Sequence, residues 1–249
     1  VKEYEEIADL CKGLGKDVFT YGYNGSDLRL TNISIMQQSL KVDFIYQGQS
    51  KSFITKLIGN FQVMNLLCAV GLVLKSGANF NDIIEVLNLI DSVRGRLEYI
   101  GGENKDVSIF VDYAHTPEAI SNALTVLRPH TKGKLAILFG AGGNRDFGKR
   151  ILMGEAANTL ADIIYITDDN PRLESPTKIR KDILEGCPNA LEIPNRLKAI
   201  RSAVSFLNSG DVLLIAGKGH ETSQIFGDRL FPFDDKKIAI EALKISEAY

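Results

Sequence analysis

KLAILFGAGGNRDFGKRILMGEAANTLADIIYITDDNPR, spanning Lys134 to Arg172, decides the architecture of this chain. It opens on a continuous apolar run, breaks at glycines, resumes as the helix-like RILMGEAANTLA and returns to a second apolar run, DIIYIT. Near-continuous apolar strands joined by helical crossovers imply a parallel sheet covered on both faces. Outward from this stretch the rhythm repeats. Upstream, VSIFVDYAH leads into a helix opened by Thr116, Pro117 and Glu118, a combination that marks a helix start. Downstream, Ser175 and Pro176 open TKIRKDILEG; ALEIP and NRLKAIRSAVSFLNSG then lead to DVLLIAGKGH, a hairpin around Phe226–Arg229 and a last helix from Asp234. From about Gly95 the fold class is α/β with a doubly wound sheet.

The preceding residues read differently. VFTYG, LRLTNISIMQ, KVDFIYQG and SKSFITKLIG alternate in polarity and are separated by Gly, Asn and Gln, which predicts hairpins. FQVMNLLCAVGLVLKSG and FNDIIEVLNLI follow at helical spacing, the second with Asn79 or Asn81 as its N-cap. The expected division is therefore 1–94 and 95–249.

Composition narrows the functions available. With 45% hydrophobic and 24% charged residues among 249, the chain is an ordinary globular protein, and a net charge of -2 with dispersed basic residues offers no field for nucleic acid. No apolar run approaches the roughly 20 residues of a membrane span, so membrane insertion is not expected. Three scattered cysteines suggest neither a disulfide framework nor a zinc site and suit a reducing cytoplasm. The chain starts at Val1 inside the amphipathic pattern EYEEIADLCKGLG, so upstream sequence is expected to be missing.

In doubly wound sheets ligands bind beyond the carboxyl ends of the strands. Those ends are Asp112–His115, Gly140–Arg145, Thr167–Arg172 and Gly217–Glu221, and a shared site is the economical inference. Gly143-N-R-D-F-Gly148-Lys149 meets the phosphate-loop spacing G-x-x-x-x-G-K, but Arg150 stands where a magnesium-binding hydroxyl is needed. Two readings remain: a glycine-rich turn without a ligand, or a loop whose Arg145 reads a carboxylate or phosphate. In Asp169-Asn170-Pro171-Arg172, proline forces Asn170 into an extended conformation and sets acid and guanidinium on one stiff arch. Such an arch suits a zwitterion, Asp169 taking an ammonium and Arg172 a carboxylate; a surface ion pair at a turn is the bland alternative. Gly217 lets a ligand approach the backbone, and Glu221 is a second ammonium partner. His115, beside Asp112 and just before a helix start, is placed for a nucleotide or for a structural role. No set of residues has the spacing of a metal cage, and there is no serine nucleophile elbow.

Taken together, Gly95-Arg-Leu-Glu98, Asp112-Tyr-Ala-His-Thr-Pro117, Gly142-Gly-Asn-Arg-Asp146 with Lys149-Arg150, Asp168-Asp-Asn-Pro-Arg172 and Gly217-Lys-Gly-His-Glu221 closely resemble the Mur ligases of bacterial cell-wall synthesis. Within that family the likeness is to the branch that adds the third amino acid of the peptide. The resemblance implies a Rossmann-like C-terminal domain preceded by the rear part of an ATPase domain. It also implies ATP and Mg2+ as cofactors, and meso-diaminopimelate and UDP-N-acetylmuramoyl-L-alanyl-D-glutamate as partners of a cytoplasmic, monomeric enzyme. The reaction it implies is amide formation through an acyl phosphate, which needs positioning and charge neutralisation more than a protein nucleophile. Carried over residue by residue, Arg145, Asp169, Asn170, Pro171, Arg172, Gly217 and Glu221 hold the amino acid, while Asn65, Arg96, Asp112 and His115 serve the nucleotide.

Departures set limits. Gly59-Asn-Phe-Gln-Val-Met-Asn65 has Gln62 in place of the family's first asparagine, which puts that adenine contact in question. The family's phosphate loop, magnesium carboxylate, modified lysine and uridine-nucleotide domain all lie before the position matching Val1. Catalytic residues are accordingly expected upstream, and the isolated chain is expected not to catalyse ligation. A lysine-adding ligase, a folylpolyglutamate synthetase or a non-catalytic amino-acid-binding module are the rival readings.

Overall fold

The computed structural model describes residues 2–36 and 39–247. Val1 and Gln37, at the ends of two segments named above, lie outside them. The chain forms two compact units, Val1–Asp91 and Ser92–Tyr249.

In the first unit, α1 (Lys2–Gly13) precedes a sheet of order β1-β2-β3-β4, made of Tyr21–Gly22, Leu28–Ile35, Leu40–Tyr46 and Gln49–Thr55. β2, β3 and β4 pair antiparallel as successive hairpins. The expected hairpin at VFTYG does not form: β1 is two residues long and runs parallel to β2, with Tyr21 opposite Leu28. The reason is local. The Asp27 carboxylate accepts from the Thr20 amide at 2.7 Å and hydroxyl at 2.9 Å, drawing the chain into a loop where a reversal was expected. Leu28, Leu30, Val42 and Phe44 pack under α2 (Asn60–Lys75) and α3 (Phe80–Leu87), through Val63, Leu67 and Val70 of α2 and Leu87 of α3. Asn79 is the N-cap of α3, accepting from Asn81 N at 2.8 Å.

The second unit carries a six-stranded sheet of order β5-β6-β10-β7-β8-β9, with β5 Glu98–Gly101, β6 Ser108–Asp112, β7 Leu135–Phe139, β8 Ile163–Ile166, β9 Leu191–Glu192 and β10 Val212–Ala216. β6, β10, β7, β8 and β9 are parallel. β5, not anticipated from the sequence, adds an antiparallel edge to β6. Successive side chains of a strand face opposite sides of the sheet. Ile109, Val111, Ala136, Leu138, Leu213 and Ile215 thus meet α7 (Arg196–Ser205) and α8 (Asp235–Glu247). The alternate residues Phe110, Ile137, Phe139 and Leu214 are buried on the other side, that of α4 (Pro117–Leu127), α5 (Lys149–Leu160) and α6 (Pro176–Leu184). Thr116 caps α4 through Ala119 N at 3.2 Å with Pro117 in the first turn; Ser175 holds the cap position of α6 but makes no side-chain cap bond. A hairpin of β11 (Ser223–Phe226) and β12 (Arg229–Pro232) turns at Gly227, whose φ of 57° suits the first central position of a tight reversal. Because β10 is inserted between β6 and β7, the connection β6–α4–β7 steps over it and opens a crevice at the carboxyl ends.

Candidate functional site

At that rim lies a cleft of about 290 Å³ lined by Tyr113, His115, Gly140, Ala141, Gly142, Arg145, Lys149, Asp169, Asn170, Arg172, Gly217 and Glu221. Its residues come from the ends of β6, β7, β8 and β10, together with Lys149 at the start of α5, so the shared edge expected from the sequence is a single concavity. Pro171 is buried beside it, and Arg96 and Asp112 do not line it.

The glycine-rich loop after β7 holds no phosphate cradle. A Cβ on Gly140 would sit 2.2 Å from the Thr167 carbonyl oxygen, and one on Gly143 would sit 1.9 Å from that of Pro171. The glycines therefore make room for a second backbone, and the Gly143 amide donates to Asn170 O at 2.9 Å. Arg150, where a phosphate loop needs its hydroxyl, is fully buried. It grips Glu174 with two nitrogens at 2.6 and 2.7 Å, reaches Asp182 at 2.9 Å and lies 4.6 Å from the centre of the Phe147 ring. Gly143→Ala is expected to destabilise the chain by about 1–3 kcal/mol through this overpacking. Urea unfolding checks it, and wild-type stability would show that the two loops separate without cost.

Arg145 and Arg172 both face the cleft in different ways. Arg145 is exposed, and no ion pair forms on it among the described residues. Arg172 is stitched in place: its amide donates to Ile225 O at 3.1 Å, its carbonyl accepts from Gly227 N at 2.7 Å, and Nη1 donates to Gly143 O at 3.0 Å. Its φ of 52° is left-handed, a conformation that L-residues other than Asn and Asp adopt at a cost. Asp169 and Arg172 do not pair, so the bland ion-pair reading of the arch is set aside. Asp169 is 8% exposed, and its carboxylate accepts no hydrogen bond among the described residues. Gly217, at φ 107°, passes so close that a Cβ there would meet Asp169 Oδ2 at 2.8 Å.

Asn170 donates from Nδ2 to Glu221 Oε2 at 2.9 Å, while its Oδ1 accepts from Lys218 Nζ at 2.9 Å. Burial alone would raise the Glu221 carboxyl; hydrogen bonds from Lys218 and Asn170, with the charges of Lys218 and Arg172, bring it below its ordinary value. Asp168, adjacent in the motif, turns instead to Arg180, and burial holds its carboxyl above the ordinary value despite that partner. Lys149 donates to the His115 carbonyl at 3.0 Å; burial lowers its pKa against the pull of Asp146 and Asp169.

The residues read for a nucleotide are spread more widely. His115 is exposed, with Nδ1 2.7 Å from Tyr113 O; a carbonyl only accepts, so Nδ1 carries the proton and Nε2 is free to accept. The Arg96 guanidinium lies 4.7 Å from the Tyr113 ring, which also contacts the rings of His115 and His220. Both Asp112 oxygens are engaged by backbone, the amides of Leu97 and Ala114 each at 2.7 Å. Burial raises the Asp112 carboxyl even against these donors. Asn65 lies on the exposed side of α2 in the first unit, 3.5 Å from Gln62 Oε1. Tyr113, Lys149 and Lys218 had no role in the sequence reading; their only signal was their place inside the quoted motifs.

A family described as Mur ligase, glutamate ligase domain, matches residues 95–219. The chain is 43% identical over 242 residues, 96% of its length, to the UDP-N-acetylmuramoyl-L-alanyl-D-glutamate--2,6-diaminopimelate ligase of Bradyrhizobium diazoefficiens. It spans about half the length of the curated relatives it matches, 50% in that case. A solved structure of a ligase of that name superposes with a TM-score of 0.72 at 29% identity, over 95% of this chain and 51% of the other. The MurF ligase of Thermotoga maritima in complex with ADP shares the fold, with a TM-score of 0.65 at 18% identity over 96% and 52%. With the rim motifs in one cleft and the family matched across half its residues, this chain belongs to the Mur ligases.

Proposed function

We propose that this chain is the C-terminal part of an ATP-dependent ligase that joins meso-diaminopimelate to UDP-N-acetylmuramoyl-L-alanyl-D-glutamate. Residues 95–249 then form the amino-acid-binding domain and 1–94 the rear of the ATP-binding domain, in a monomeric cytoplasmic enzyme that binds no nucleic acid. One observation carries the reading: a single cleft holds two acids, Asp169 and Glu221, with Arg145, Arg172 and Lys149. Meso-diaminopimelate carries two ammonium and two carboxylate groups, and a cleft that offers both acids and cations suits such a zwitterion. At its distal centre Asp169 and Glu221 take the ammonium, and Arg172 and Asn170 take the carboxylate. Arg145, exposed and in no ion pair among the described residues, takes a carboxylate of the same ligand.

ATP with Mg2+ supplies the phosphoryl group that activates the acceptor carboxylate as an acyl phosphate. Arg96, beside the Tyr113 ring, and the Nε2 of His115 would face the nucleotide, and Asn65 of the first unit is also assigned to nucleotide binding by the family resemblance. Asp112 fits this assignment less directly, since its carboxylate staples the Leu97 and Ala114 amides. Among the described residues there is no group of three or more His, Cys, Asp or Glu side chains set to hold a metal ion.

Isothermal titration of the chain with meso-diaminopimelate and with L-lysine tests the reading. Lysine lacks the second carboxylate and is expected to bind at least about tenfold more weakly, since a hydrogen bond to a charged group is worth ~1.5–3 kcal/mol. Equal affinities would overturn the assignment in favour of a lysine-adding relative.

A further inference from the structure

Lys218 is fully buried, a setting in which an ammonium is costly unless its donors are satisfied. Its Nζ donates to Asn170 Oδ1 and to Glu221 Oε2, each at 2.9 Å. Asn170 Oδ1 accepts a second bond from Ile225 N at 3.0 Å. An ammonium and a backbone amide can only donate, so the Asn170 carboxamide has one permitted orientation, its NH2 toward Glu221. Glu221 Oε2 thus receives both Lys218 and Asn170, which leaves Oε1 as the oxygen available to a ligand cation.

We infer that Lys218 is a positioning residue that never touches the ligand: it fixes the Asn170 amide and one oxygen of Glu221, keeping the other as an ionised acceptor for the ligand's ammonium. The inference rests on the amino-acid-binding role proposed above. Without Lys218, the burial of Glu221 is opposed only by Asn170 and by more distant charge. Asp169 disfavours a second carboxylate in the same cleft. Arg172, Arg145, Lys149 and, from α7, the buried Arg196 favour it. His115 also lines the cleft, but it is common to all variants and drops out of a comparison with wild type.

The test pairs a ligand-free measurement with a binding measurement. Carbon-13 carboxyl titration of Glu221, assigned with Glu221→Gln, is run on the wild-type chain, Lys218→Met and Lys218→Arg. In wild type the group is expected to ionise below the ordinary glutamate range, and in Lys218→Met at higher pH. Binding of meso-diaminopimelate by Lys218→Met is then expected to weaken by about tenfold for each unit that pH falls below the raised pKa. The wild-type profile stays flatter, and Lys218→Arg retains most of the affinity. An unshifted Glu221 titration in folded Lys218→Met overturns the inference, as does an ordinary or raised value in wild type. If Lys218→Met does not fold, Lys218→Met/Glu221→Gln, which removes both charges, is expected to fold. Failure of both leaves the wild-type titration to decide. A wild-type chain that titrates as expected but ignores meso-diaminopimelate would sink the ligand reading and spare the role of Lys218.

Discussion

Arg172→Ala is expected to weaken binding of meso-diaminopimelate by about 10- to 150-fold while leaving lysine affinity nearly unchanged. The range corresponds to the ~1.5–3 kcal/mol of a hydrogen bond to a charged group. The mechanism is selective because Arg172 already spends Nη1 on the Gly143 carbonyl, which fixes the guanidinium before any ligand arrives. A fixed fork loses little entropy on binding a carboxylate, whereas a lysine at the same place offers a point charge on a mobile stem. Arg172→Lys is accordingly expected to recover only part of the loss. Parallel titrations with the two amino acids separate this from general damage to the rim. Equal losses for both ligands would mean that Arg172 only ties the loops together.

The largest expected effect on stability lies beneath the site. Arg196 and Asp235 are fully buried, with Nε to Oδ1 and Nη2 to Oδ2 both at 2.8 Å, and Nη2 also reaches the Ala216 carbonyl at 2.9 Å. Ala216 ends β10, so the pair joins α7 and α8 to the strand that leads into Gly217 and Lys218. Arg196→Leu would leave the Asp235 carboxylate buried without its partner, at a cost of about 3–5 kcal/mol. Replacing both residues, Arg196→Leu/Asp235→Leu, is expected to restore most of the loss, since no charge is then stranded. Urea unfolding of the three proteins checks the pattern. A single variant within about 0.5 kcal/mol of wild type would contradict it.

The polar ends of β6, β7, β8 and β10 were legible because each follows a run buried on both faces, so the first polar residues mark where the sheet meets the rim. β5 was not: Glu98–Gly101 is short, lies at an edge and ends in glycines, leaving no period to detect. The sequence singled out Arg145 as a reader of anions but gave no role to Arg150. Arg150 lies in the first turn of α5, and only the positions of Glu174 and Asp182 make it a buried clamp, while Arg145 in the preceding loop faces the cleft. For the glycines of the same loop the sequence left two readings, a turn without a ligand or a frame for Arg145, and the space beside them went unassigned. That space is filled by the backbone of Thr167–Pro171, a neighbour that no local pattern reveals.

Similar main-chain crossings recur around the rim: a Cβ on Gly95 would lie 2.2 Å from the His220 amide, and one on Gly219 would lie 2.8 Å from the Gly95 carbonyl oxygen. Loops that interlock through bare glycine backbone tolerate neither insertion nor bulk. On the proposed role of the cleft, a change of amino-acid preference is expected to come from exchanging the side chains at positions such as 145, 169, 172 and 221. Redesign by lengthening or swapping whole loops is expected to break the fold before it alters the choice of amino acid.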